Sequence, residues 1–139
     1  MHAEAVIDAS VLAAAFFNED RSDQARAYLR SGPALIAPDL LRIEIASIAA
    51  KKIWKGEASR EAGARALTAI DEFVGRIEMT QALVGPALIL AADHRFSAYD
   101  ATYLALARFE GLTVITFDEK LIARADEAGL IGLAALPGA

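Results

Sequence analysis

Four carboxylates stand at places in this chain where an apolar core would not accept them alone. Asp8 ends the run Ala5-Val6-Ile7, and Glu44 interrupts Leu40-Leu41-Arg42-Ile43-Glu44-Ile45-Ala46. Asp100 opens the apolar block Asp100-Ala101-Thr102-Tyr103-Leu104-Ala105-Leu106-Ala107, and Asp118 follows Leu112-Thr113-Val114-Ile115-Thr116-Phe117. Acids enter or border a core when they are paired, hydrogen-bonded or metal-bound. Crowded into one pocket, they repel one another and take up protons more readily unless a cation neutralises them. The chain has no cysteine, and a donor set made only of oxygens selects Mg²⁺ or Mn²⁺ over zinc. Ions of that kind polarise a phosphoryl oxygen and acidify water. The chemistry within reach of such a set is hydrolysis at a phosphate ester.

Each acid also has a simpler explanation. Asp8 could be a turn residue after a strand, with Ser10 capping the helix that follows. Asp118 suits the N-cap of a helix starting at Glu119, and Asp100 could complete a capping box from Ser97. Glu44 has the weakest such explanation: it sits in a helix among Leu41, Ile43, Ile45 and Ile48, and only an exposed face would make it ordinary. The simple explanations must all hold together, whereas a convergent metal site needs one cause. The two histidines, His2 at the terminus and His94 beside Arg95 near a helix end, read as surface residues. A metal-free acid and base pair of histidines is therefore a poor alternative.

The elements that must position these groups alternate between strand and helix. A short strand over 5–8 leads into a helix over 9–17, and a second helix over 23–30 stops at Gly32-Pro33. A buried strand over 34–37 follows. Pro38-Asp39 opens a long helix to about Lys55, stopped at Gly56. Ser59 caps a helix through Phe73, and 76–79 is a short strand. Residues 81–93 read as helix, although Gly85-Pro86 should kink it or delay its start. A helix over 99–109 is closed by Gly111, 113–116 is the strand richest in β-branched residues, 119–128 is helix, and 130–136 is a last strand. Apolar strands that do not alternate, separated by helices, imply a parallel sheet covered on both faces. Sites in such sheets form at the carboxyl ends of strands, where Asp8 and Asp118 fall. The expectation is one α/β domain spanning 1–139, a three-layer α/β/α sandwich.

At 139 residues, of which 55 % are hydrophobic, the chain has enough apolar material for a core and some to spare for a partner. The absence of cysteine excludes a disulfide framework and fits a reducing cytoplasm. No uncharged run approaches the ~18 residues of a membrane span, and the acidic segment before Ala9 argues against a signal peptide. A net charge of −5 disfavours general nucleic-acid affinity, but one or two divalent ions would bring it to about −3 or −1. Lys51, Lys52 and Lys55, with Arg42 on the same predicted helix, form a basic patch that could face a phosphate backbone. A solvated helix end favoured by the macrodipole explains the same residues.

The stretches Val6-Ile7-Asp8-Ala9-Ser10, Glu44 after Pro38-Asp39-Leu40, Tyr99-Asp100-Ala101-Thr102-Tyr103-Leu104-Ala105-Leu106-Ala107 and Thr116-Phe117-Asp118 together resemble the signature of PIN-domain nucleases. In length and motif order the chain is most similar to the VapC-type toxins of bacterial toxin–antitoxin pairs, over essentially its whole extent. The resemblance implies that Asp8, Glu44, Asp100 and Asp118 are the metal-binding and catalytic acids, supported by Ser10 and Thr116. It implies a parallel sheet of about five strands between helices. It further implies an Mg²⁺- or Mn²⁺-dependent endoribonuclease acting on tRNA or ribosomal RNA, homodimeric and held inactive by an antitoxin whose tail crosses the acidic groove.

Other phosphate-handling families fit less well. A haloacid-dehalogenase phosphatase needs a second Asp two residues after the first, where this chain has Ser10. A receiver domain needs a phosphoacceptor Asp after its third strand and a Lys after its fifth, and neither is present. A degenerate PIN-like binding module and a stand-alone nuclease are the alternatives left open.

Overall fold

The computed structural model describes residues 3–138; His2 lies outside them. Strand β1 (Glu4–Ile7) leads into helices α1 (Ala9–Phe16) and α2 (Ser22–Ser31), and β2 (Ala34–Pro38) into α3 (Leu40–Trp54) and α4 (Arg60–Phe73). Strand β3 (Arg76–Glu78) is followed by α5 (Thr80–His94) and α6 (Ala98–Glu110), and β4 (Val114–Ile115) by α7 (Glu119–Glu127) and β5 (Ala134–Ala135). All neighbouring strands pair in parallel, in the order β3-β2-β1-β4-β5. This is the predicted three-layer α/β/α sandwich with a five-stranded parallel sheet.

The order dictates the layers. From β1 the chain steps outward to β2 and β3, then crosses back to β4 and on to β5. Right-handed crossovers in opposite directions place their helices on opposite faces. Accordingly α1, α3 and α4 pack on one another, while α6 lies across β1, β2 and β4 with α5 on top of it. Helix α6 is buried along Ala101–Ala107 because it is sandwiched between sheet and helix. The reversal between β1 and β4 opens a crevice at their carboxyl ends, the place where doubly wound sheets bind ligands. Asp8 follows β1 directly, and Thr116 and Asp118 follow β4.

Two local expectations change. Helix α5 neither starts late nor breaks at Pro86. A proline inside a helix removes one backbone hydrogen bond, and the packing of α5 along α6 outweighs that loss. The expected last strand over 130–136 shrinks to Ala134–Ala135. Gly129 and Gly132 adopt φ of +84° and +77°, left-handed values open to glycine at little cost, so the chain turns before it can extend. Ser59 does cap α4, accepting the Ala62 N–H at 3.0 Å. No helix among the described residues is long and apolar enough to cross a membrane.

The α6 core sets the stability scale. Leu104 is 0 % exposed beneath the sheet, so Leu104→Ala should cost about 2–5 kcal/mol in urea denaturation. Leu88→Ala on the outer face of α5, where Leu88 is exposed, should stay within about 0.5 kcal/mol.

Candidate active site

The site is built from the ends of β1 and β4. Asp8 precedes α1 in extended conformation, and its side chain makes no capping bond to that helix. Instead Asp8 Oδ2 accepts hydrogen bonds from Ser10 Oγ at 2.7 Å and Thr116 Oγ1 at 2.8 Å. Ser10 Oγ in turn accepts the Phe117 N–H at 3.1 Å, and Thr116 Oγ1 accepts the Asp118 N–H at 2.9 Å. Two hydroxyls thus tie one carboxylate oxygen to the backbone of the opposing strand end. The reading of Ser10 as a helix cap gives way to this bridge, because its hydroxyl points at the carboxylate. Thr116 is wholly buried, so its hydroxyl depends on this network for its partners.

Asp118 is a true N-cap of α7: its Oδ1 accepts the Leu121 N–H at 3.1 Å. Ser97 caps α6, accepting the Asp100 N–H at 3.1 Å, which puts the Asp100 carboxylate in the first turn. Glu44 is half-buried on α3, flanked by the buried Leu41 and Ile45. Its Oε1 accepts a hydrogen bond of 2.5 Å from the Tyr103 hydroxyl. Tyr103 is the site residue that sequence reasoning passed over, hidden among apolar neighbours. A signal existed in its spacing, since a residue three after Asp100 shares its helix face.

The four acids feel one another. Burial raises the Glu44 pKa, the Tyr103 hydrogen bond opposes the rise, and the charges of Asp8 and Asp100 add to it. Burial likewise raises Asp100, with Asp8 and Asp118 adding to it and Ser97 and Arg124 opposing it. The Tyr103 phenol is pushed far above its ordinary range, first by burial and then by Asp8 and Glu44, so it remains a proton donor to Glu44. Among the described residues none of the four acids forms a salt bridge. Among the described residues the cations that do form salt bridges, Arg21, Arg42, Lys52 and Arg76, pair with other acids.

This donor set fits a divalent cation of the hard, oxygen-seeking kind. Among the described residues no group of three acidic or histidine side chains lies close enough to hold an ion unaided. Mg²⁺ is usually bound through one or two carboxylates and keeps several waters, so waters would have to complete any shell that these side chains began. The suggested basic patch is not assembled as a unit. Arg42 makes a two-pronged pair with Asp71, at 2.8 and 3.0 Å, and also bonds Asp39. Lys52 turns to Glu19 at 3.2 Å, which leaves Lys51 and Lys55 exposed at the far end of α3.

Without a cation the raised carboxylates carry a sign that can be checked. A group with a folded-state pKa above its unfolded value costs stability as pH rises through that window. Asp100→Asn removes that cost while keeping a side chain that Ser97 can bond. In EDTA the variant should match the wild type near pH 4 and melt at the same or a higher temperature at pH 7.5. A variant less stable at both pH values would show that Asp100 is only a structural cap.

Comparison with known proteins places the chain in a family. The PIN domain family matches residues 5–128. The chain is 30 % identical over 118 residues to Ribonuclease VapC3 of Pyrobaculum aerophilum, covering 84 % of this chain and 90 % of that one. Its fold is similar to that of Mycobacterium tuberculosis VapC20, a sarcin-ricin-loop-cleaving toxin, with a TM-score of 0.72 at 22 % identity over 87 % of this chain and 94 % of the other. It is also similar to a chain of a toxin–antitoxin complex from Klebsiella pneumoniae, with a TM-score of 0.68 at 22 % identity over 96 % and 97 %. The chain belongs to the PIN-domain family and, within it, to the VapC type.

Proposed function

We propose that this protein is an Mg²⁺- or Mn²⁺-dependent endoribonuclease and the toxin of a toxin–antitoxin pair. The observation that carries the reading is the set of four carboxylates around the β1/β4 crevice, with Asp8 and Asp100 in the field of Glu44 and Asp8 and Asp118 in that of Asp100, none of them neutralised by a salt bridge among the described residues. The names of its VapC3 and VapC20 relatives support RNA as the substrate. Asp8, Glu44, Asp100 and Asp118 would hold the ion, and a bound Mg²⁺ or Mn²⁺ would polarise the phosphoryl oxygen and acidify water. Asp8 is kept in one orientation by Ser10 and Thr116. The bond to the Asp8 Oδ2 atom leaves its other oxygen without a protein donor among the described residues. Preorganised negative charge of this kind needs no rearrangement when the cation and phosphate arrive. In-line attack by water on the phosphorus leaves 5′-phosphate and 3′-hydroxyl ends. Lys51 and Lys55 remain available to the RNA backbone, whereas Arg42 and Lys52 would first have to leave their carboxylate partners.

The partners follow from the same reading. Solved relatives include a toxin–antitoxin complex, and this chain exposes Ile43, Leu67, Val84, Leu88, Ile89 and Phe109. Apolar surface of that extent suits a homodimer and an antitoxin helix laid in a groove. A basic side chain of the antitoxin entering the acidic crevice would take the cation's place and inhibit. The setting is cytoplasmic.

Cleavage of a structured RNA should stop in excess EDTA and return with Mg²⁺ or Mn²⁺, with 5′-phosphate products. Asp8→Ala and Glu44→Gln should lower the rate by roughly two orders of magnitude or more. Cleavage that persists in EDTA, or products ending in a cyclic phosphate, would overturn the mechanism. A folded protein that binds its antitoxin but cuts no RNA under any metal condition would point to a binding module.

A further inference from the structure

The apolar block that opens with Asp100 contains a hydroxyl that the four-acid reading does not use. Tyr103 is only 2 % exposed, yet it delivers its proton to Glu44 Oε1 at 2.5 Å across 59 residues of sequence. Two separate elements meet at this bond, α6 through Tyr103 and α3 through Glu44. Tyr103 also lies one helical turn from Asp100, so the same rigid helix carries an acid of the site and the donor that holds another.

Glu44 needs such a holder. A glutamate side chain has three rotatable bonds and loses substantial rotamer entropy when fixed. Among the described residues no salt bridge holds it, and Tyr103 is the only side-chain donor to it. The buried phenol offers one O–H in one direction, because its ring is locked by the packing of α6 between sheet and α5.

We infer that Tyr103 is a positioning residue of the site: its hydroxyl fixes one oxygen of Glu44 and so presents the other toward the crevice shared with Asp8 and Asp100. The inference rests on the proposal that Glu44 is one of the cation-holding acids. A tyrosine that merely satisfied its own hydroxyl would affect folding without affecting the cation. A positioning tyrosine acts through Glu44 and through nothing else.

Calorimetric titration of metal-stripped protein with Mn²⁺ separates these cases without recourse to catalysis. Tyr103→Phe keeps the ring and removes the hydroxyl, and it should weaken Mn²⁺ binding by about 10- to 100-fold, the usual effect of losing a group that orients a ligand. In a Glu44→Gln background the same change should weaken binding no more than about twofold further, because the two residues act as one unit. Glu44→Asp withdraws the carboxylate by one methylene on a half-buried helix face, and should reproduce the loss even if Tyr103→Phe folds poorly. Wild-type affinity in Tyr103→Phe, or equal weakening in both backgrounds, overturns the inference and leaves the four-acid site standing. A wild-type protein whose Mn²⁺ binding is indifferent to Asp8→Asn and Asp100→Asn removes the underlying reading and the inference together.

Discussion

Carboxylates brought together without a counter-charge are the constraint around which this structure is arranged. Asp8, Glu44, Asp100 and Asp118 come from four different elements, and the fold keeps them in one another's field while Arg42, Lys52 and Arg76 pair with other acids. Such a cluster works against folding. It persists because the surrounding structure overdetermines it: the sheet fixes Asp8 and Asp118, and two helix N-terminal turns fix Asp100 and Asp118. On the proposed reading a cation would convert the same repulsion into affinity, with the carboxylates as its ligands.

The sheet order explains why the cluster lies where it does. The reversal of direction between β1 and β4 leaves their carboxyl ends uncovered by a crossover helix. Hydroxyls of Ser10 and Thr116 then span the gap, so that Asp8, Phe117 and Asp118 are held by one short network. Two of these bonds end on the Asp8 carboxylate and two on the hydroxyls of Ser10 and Thr116, so each hydroxyl both donates and accepts. They hold the crevice at a set width while the helices on either side bring in Glu44 and Asp100.

What the sequence disclosed and what it hid have physical reasons. Asp8 and Asp118 were legible because each ends an apolar run and begins a helix, a local pattern. The layered parallel sheet was legible from buried, non-alternating strands. Tyr103 was not singled out, because its partner is 59 residues away and nothing in its neighbours announces a polar contact. The division of the basic patch was hidden for the same kind of reason: composition shows Arg42 and Lys52 as cations, but not that Asp71 and Glu19 fold onto them. The last strand was overread because its hydropathy suits extension, whereas Gly129 and Gly132 turn the backbone.

The central claim is that the four acids form one cation site, and the melting temperature with and without Mn²⁺ tests it most directly. An ion bound only by the folded state, present at 100 times its dissociation constant, stabilises that state by about 2.7 kcal/mol. Saturating Mn²⁺ should therefore raise the melting temperature of the wild type clearly, and those of Asp8→Ala and Asp100→Ala much less. Equal shifts in all three proteins would contradict the account and reduce the four acids to turn and cap residues.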